Sequence, residues 1–265
     1  AMKKLVEVIH KRASDRNLQI IATTHRETIL AQEEMVSIRH IVNKSGRSLC
    51  FSETKPDAIN RLTGSQPKPI EVFVEDDLAA AIVKKIASQL KGAKYISVER
   101  YGAAQNCFVV VAGLLLGGED CKHSLFVLDG DVYRSEQQKL EQINAVLTGT
   151  DRRSAEYRSI ALSKILQFEL PDATSPERHL HEIIVSIDNG VNDEHIEVIE
   201  CAREIHSVDD DYKYINDLLI RLGWDREVGL SKIVDLVAMS DQWSNYVASI
   251  KSWMSHQIDQ MSESS

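Results

Sequence analysis

A chain of 265 residues, 43% of them hydrophobic, carries enough apolar material for one large core, or for a small segment followed by a main domain. Its formal charge of −9 excludes attachment to nucleic acid through a general excess of cations, although carboxylates gathered around divalent ions would contribute negative charge of the same sign. Apolar runs such as Phe108 to Leu116 fall short of the ~20 residues that span a bilayer, and no secretory signal opens the sequence. The four cysteines (Cys50, Cys107, Cys121, Cys201) form no CxxC pair, so the expectation is a soluble cytoplasmic protein with reduced thiols and no zinc ribbon.

Apolar positions at Leu5, Val6, Val8 and Ile9 predict a helix over Met2 to Ala13, ended by the polar break Ser14-Asp15-Arg16-Asn17. The run Leu18 to His25 reads as a buried parallel strand that presents a histidine at its C-terminal end. Alternation through Val36, Ile38, His40 and Val42, polar residues from Asn43 to Ser48, and then Leu49-Cys50-Phe51 predict a hairpin within Met35 to Ser52. Pro56 to Pro69 reads as a linker.

From Pro69 onward strands and helices alternate. Strands are expected at Ile70 to Val74, Tyr95 to Val98 and Ser124 to Leu128, with helices at Asp76 to Gln89 and Ala103 to Leu116 between them. Strands spaced by helices of this length imply a parallel α/β sheet, whose ligand site lies beyond the carboxyl ends of the strands. The rest is expected to be helical: Ser135 to Leu147, Ser154 to Gln167, Pro176 to Ile187, Asp193 to Ile205, Asp209 to Arg221 and a tail through Met254, with Gln260 to Ser265 frayed.

Two strands end abruptly in acids: Glu71-Val72-Phe73-Val74-Glu75-Asp76-Asp77 and Ser124-Leu125-Phe126-Val127-Leu128-Asp129-Gly130-Asp131. Several charges brought together without compensation are costly to bury, and a shared cation removes the conflict. Asp129 and Asp131, separated by a glycine, can turn toward one point, and Glu75 reaches it from a neighbouring strand. Oxygen-only ligands favour Mg²⁺ or Mn²⁺ over zinc. Plainer readings stand beside this one. Asp76 or Asp77 caps the following helix, Ser175-Pro176-Glu177 is also an ordinary helix start, and Asp209-Asp210-Asp211 favours a helix dipole. His179 and His181 point to different faces of one helix, and Trp224, Trp243 and Trp253 read as core or interface residues.

A lone acid after an apolar strand, followed some fifty residues later by a second apolar strand and Asp-x-Asp, resembles the Toprim fold of topoisomerases, primases and OLD-family nucleases. Within that group, Leu170 to Glu177 resembles the Pro-Glu helix start of OLD-like proteins, and Gln19 to His25 is similar to the switch-histidine strand of ABC-type ATPases, which precedes Toprim in them. The resemblance covers roughly residues 15 to 180. It implies an α/β Toprim nuclease with a mainly helical C-terminal extension and a short N-terminal ATPase remnant, divided as 1–66, 67–135 and 136–265. It further implies metal-dependent DNA cleavage in phage defence, with Glu75, Asp76, Asp129, Asp131 and Glu177 as ligands to one or two Mg²⁺ or Mn²⁺ ions. A homodimer is expected, together with a late catalytic lysine, Lys232 or Lys251. No Gly-x-x-x-x-Gly-Lys-Ser/Thr occurs, so ATP, sensed through His25, would bind only with a missing N-terminal ATPase region. Two departures stand out: the expected acid four residues after Glu75 is Ala79, and Tyr133 breaks the Asp-x-Asp-x-Asp run of topoisomerases. Alternatives are a catalytically degenerate Toprim scaffold for dimerisation and DNA binding, or a topoisomerase- or primase-type domain.

Overall fold

The computed structural model describes residues 2–23, 35–37, 39–44, 47–51, 68–172, 174–188, 193–206 and 211–263. The chain divides into two compact units, Ala1–Pro67 and Lys68–Ser265.

In the first unit, helix α1 spans Met2–Asp15. Asn17 stops it by taking a left-handed conformation (φ 50°), which lets the Leu18 amide donate back to the Ala13 carbonyl at 2.9 Å. Over its described residues the strand expected from Leu18 to His25 is not formed: residues 18–23 are irregular, with Leu18, Ile20 and Ile21 exposed at 55%, 49% and 85%. An apolar run becomes a buried strand only between neighbouring strands. The strands described in this unit, β1 (His40–Lys44) and β2 (Arg47–Phe51), pair antiparallel with each other from His40↔Phe51 to Lys44↔Arg47. That pair is the expected hairpin. His25 and the linker residues 56–67 lie outside the described residues.

The second unit opens with β3 (Ile70–Val74), α2 (Asp77–Gln89), β4 (Ile96–Arg100), α3 (Ala104–Gly117) and β5 (Ser124–Leu128). It continues with α4 (Glu136–Val146), α5 (Arg152–Lys164) and β6 (Ile165–Gln167). Helices α6 (Pro176–Ser186), α7 (Asp193–Arg203), α8 (Asp211–Leu222), α9 (Arg226–Val237), α10 (Trp243–Tyr246) and α11 (Ala248–Glu263) complete it. Two expectations are corrected here. The predicted helix over Ser154 to Gln167 ends at Lys164 and hands over to a fourth strand, and the tail stays helical to Glu263 rather than fraying from Gln260.

All four strands run parallel in the order β4-β3-β5-β6. Alternation along the central strands feeds two cores. Val72, Val74, Leu125 and Val127 pack with α2, α6, α8 and α9, whereas Phe126, Leu128 and Ile165 pack with α3, α4 and α5. On the second face, Phe73 and Phe126, paired in register, stack at 4.8 Å between ring centroids. Every residue of β5 is buried, as its unbroken apolar sequence requires of a central strand. The chain leaves β3 toward β4 through α2 on one face and returns past β3 to β5 through α3 on the other. The winding therefore reverses between β3 and β5, and a crevice opens beyond their carboxyl ends, where α/β sheets bind ligands.

Candidate metal centre at the carboxyl edge of the sheet

Carboxylates reach this crevice from three segments. Glu75 and Asp76 follow β3, Asp129 and Asp131 follow β5, and Glu177 stands in the first turn of α6. Because Val74 pairs with Val127, the chain leaves both strands side by side, delivering Glu75 and Asp76 next to Leu128 and Asp129.

The electrostatics centre on Asp129, which feels the other four acids. Burial raises the Asp129 carboxyl well above the usual carboxylate range, and the charges of Asp76, Glu75, Asp131 and Glu177 raise it further. Burial likewise pushes Glu75 up to about 7; the Ala104 amide opposes the shift, and Asp131 and Asp76 add to it. Asp76 is raised by burial first, against the pull of the Ala79 amide.

Backbone amides hold several of these side chains. The Ala104 amide donates to Glu75 Oε1 at 2.9 Å, closing the start of α3, whose own N-cap, Ala103, has no side-chain acceptor. Asp76 caps α2 by accepting from the Ala79 amide at 2.8 Å, the role expected of it or Asp77. Asp131 Oδ1 accepts from the Val132 amide at 2.8 Å. Gly130 makes the turn between the two aspartates possible: its φ is +96°, and a Cβ there would lie 2.4 Å from the Phe168 carbonyl oxygen. Arg134 then ties the turn to the segment after β6, donating to the Leu170 carbonyl at 2.6 Å and pairing with Asp172 at 3.3 Å.

Among the described residues, no group of three or more His, Cys, Asp or Glu side chains is drawn together closely enough to hold a metal ion. The chemistry of the donors nevertheless fits a hard divalent cation, since all five acids offer only oxygen and a cation would offset the repulsion that raises Asp129 and Glu75.

The remaining candidates are scattered. Lys232 lies on α9 with its ammonium 4.4 Å from the Trp224 ring centroid, and Lys251 is on α11. Ala79 is 2% exposed within the core, so an acid at that position would be buried among aliphatic side chains. Tyr133 (φ +51°) sets its ring edge-on to Phe108. His179 and His181 pack edge-on against different tyrosines, Tyr246 and Tyr214, and Trp243 is buried in the core. Sequence reasoning missed Arg226. This arginine grips both oxygens of Asp77 through Nε and Nη2 and also bonds Asn216, and the charges of Asp76 and Glu177 act on it as well. No local signal announces the pair, because its partners lie 149 residues apart.

No family model and no curated protein matches this chain. Solved structures of the C-terminal region of the Xanthomonas campestris pv. campestris OLD protein, one phased with platinum, align over 74% of this chain and 96% of that one at 19% identity and a TM-score of 0.37. The crystal form phased with mercury gives 20% identity and 0.38 over 73% and 98%. An overlap this loose carries no argument about family or activity.

Proposed function

We propose that the Lys68–Ser265 unit is a divalent-metal-dependent phosphodiesterase that cuts DNA as an endonuclease or nickase, the nuclease region of an ATP-regulated OLD-type protein. The observation that carries this reading is the arrival of Glu75, Asp129 and Asp131, with Asp76 and Glu177 beside them, at the point where the parallel sheet reverses its winding. The order of motifs along the sequence supports it.

Bound Mg²⁺ or Mn²⁺ would supply an activated water and stabilise the departing oxygen of the phosphodiester. Glu75, Asp129 and Asp131 would hold the first ion, and Asp76 or Glu177 would supply a ligand to a second. Gly130 allows the two aspartates to converge, and Arg134 fixes their turn. Arg226, held by Asp77, places positive charge beside Asp76 and Glu177, where a phosphate would enter. Lys232 or Lys251 is the lysine that the resemblance adds to this set.

The core position of Ala79 and the unclosed carboxylates favour one rival reading, a Toprim scaffold that binds DNA without cutting it. Supercoiled plasmid incubated with Mg²⁺, Mn²⁺ or EDTA separates the two. The proposal expects nicking with either metal, none in EDTA, and a loss of at least ~10³-fold in Asp129→Ala. Equal nicking by folded Asp129→Ala rejects it, and DNA binding without any cutting selects the scaffold.

A further inference from the structure

Next to the acidic centre, α2, the end of β4 and α9 enclose a groove of about 1040 Å³. It begins at Asp77, the neighbour of Asp76, and follows α2 as far as Ser88, a wall of ~16 Å at the helical rise. Five cations line it (Lys84, Lys85, Arg100, Arg226 and Lys232) against the four carboxylates of Asp77, Glu99, Glu227 and Asp235. The balance is the reverse of the chain as a whole, in which 40 acids outnumber 31 lysines and arginines. Two of the carboxylates position cations in the wall: Asp235 holds Lys85 at 2.6 Å, and Asp77 holds Arg226 through both oxygens. Lys84 reaches Glu227 only at 4.0 Å, with 63% of its side chain exposed, and Arg100 ends the edge strand β4 in an exposed position.

We propose that this groove binds a single-stranded segment of nucleic acid that runs outward from the acidic centre. That a polyphosphate is the ligand rests on the phosphodiesterase reading of the adjoining carboxylates; the single strand follows from size. Spread along a ~16 Å wall, 1040 Å³ makes a channel only ~8 Å across, too narrow for a duplex ~20 Å wide to seat between its walls. The same space and its ~16 Å wall take about two nucleotides of one strand, with phosphates along Lys84, Arg100 and Arg226.

The test is fluorescence anisotropy of a labelled oligothymidylate and of a duplex of equal length, in EDTA, with the whole chain. Wild type is compared with Lys84→Glu/Arg100→Glu and with the neutral pair Lys84→Gln/Arg100→Gln. Both side chains are exposed, so the melting midpoint should hold; if the charge reversal unfolds, the neutral pair carries the test. Wild type should bind the single strand more tightly than the duplex. The reversal should weaken that binding about tenfold or more, and the slope of log affinity against log salt should fall by about 1.4 for two lost phosphate contacts. Absence of binding, a preference for duplex, or affinity and slope unchanged in both variants overturns the inference. Metal plays no part in this assay, so groove binding that survives alongside a failure to nick plasmid would sink the hydrolase reading and leave the groove in place.

Discussion

Asp151 and Asp129 are both aspartates that lead out of the α/β scaffold, and they have opposite electrostatic character. Asp151 caps α5: its two oxygens accept from the amide and the hydroxyl of Ser154, each at 2.9 Å, and these bonds hold its carboxyl below the usual range. Asp129 is half-buried at the carboxyl edge among four other acids, and burial and repulsion drive its carboxyl up. The first arrangement stabilises the folded chain and the second opposes it. Folding therefore accounts for Asp151, and for Glu75 and Asp76 as acceptors at the starts of α3 and α2, but gives Asp129 no such role, which is the situation in which a functional one is sought.

The largest effect should come from removing the acid at the centre of the edge. Asp129→Asn is expected to abolish metal-dependent nicking, by ~10³-fold or more, while the melting midpoint in EDTA stays level or rises because a source of repulsion has gone. A midpoint that falls by several degrees would place Asp129 with Asp151 and erase the contrast. Next in size is Gly130→Ala, which forces a Cβ against the Phe168 carbonyl and strains a left-handed backbone. It should lower stability by about 2–4 kcal/mol in denaturant titration and also reduce nicking.

The pH dependence sharpens the comparison with its sign. Glu75 ionises at about 7 in the folded chain against 4.5 for its ordinary value, so between these the folded state binds the extra proton. Stability without metal should then fall as pH rises from about 4.5 to about 7 and level off above, by roughly 1–2 kcal/mol once solvent screening of a half-buried carboxyl is allowed for. Mg²⁺ should flatten or invert that slope, and melting curves across the range check both. Asp151, whose carboxyl is lowered, contributes stability at neutral pH that is lost as pH falls through its folded pKa. Asp151→Ala should lower the melting midpoint modestly at pH 7 through loss of the N-cap, with nicking unchanged. The smallest effect is expected at Tyr246, whose buried hydroxyl has no hydrogen-bond partner among the described residues: Tyr246→Phe should leave stability within about 1 kcal/mol of wild type, on the stabilising side.

The acid-ended strands were legible because each is a short apolar run broken by charge, and β3 and β5 form where that pattern predicts them. Strand β6 was not, since Ile165-Leu166-Gln167 continues the composition of α5 and becomes a strand only by pairing with the edge of β5 that β3 leaves open. The opposite error occurred at Leu18 to Thr23, where strand-like composition meets no described pairing partner. Within the site, the turn at Gly130 could be anticipated from Asp-Gly-Asp. Glu75 as the acceptor for α3 could have been sought, because Ala103-Ala104 opens a helix without any capping side chain and the missing acceptor had to come from elsewhere. The Asp77–Arg226 fork is set by the packing of α9 against α2, and no local pattern encodes it.

The central claim is that the carboxyl edge exists to share a cation. Its most direct measurement is calorimetric titration of Mn²⁺ into wild type and Asp129→Asn near pH 6.5, with the proton release followed in parallel. The account predicts saturable binding by wild type with protons expelled from the raised carboxyls, and loss of both in the variant. Binding and proton release that are the same in the two proteins, or absent from both, would contradict it.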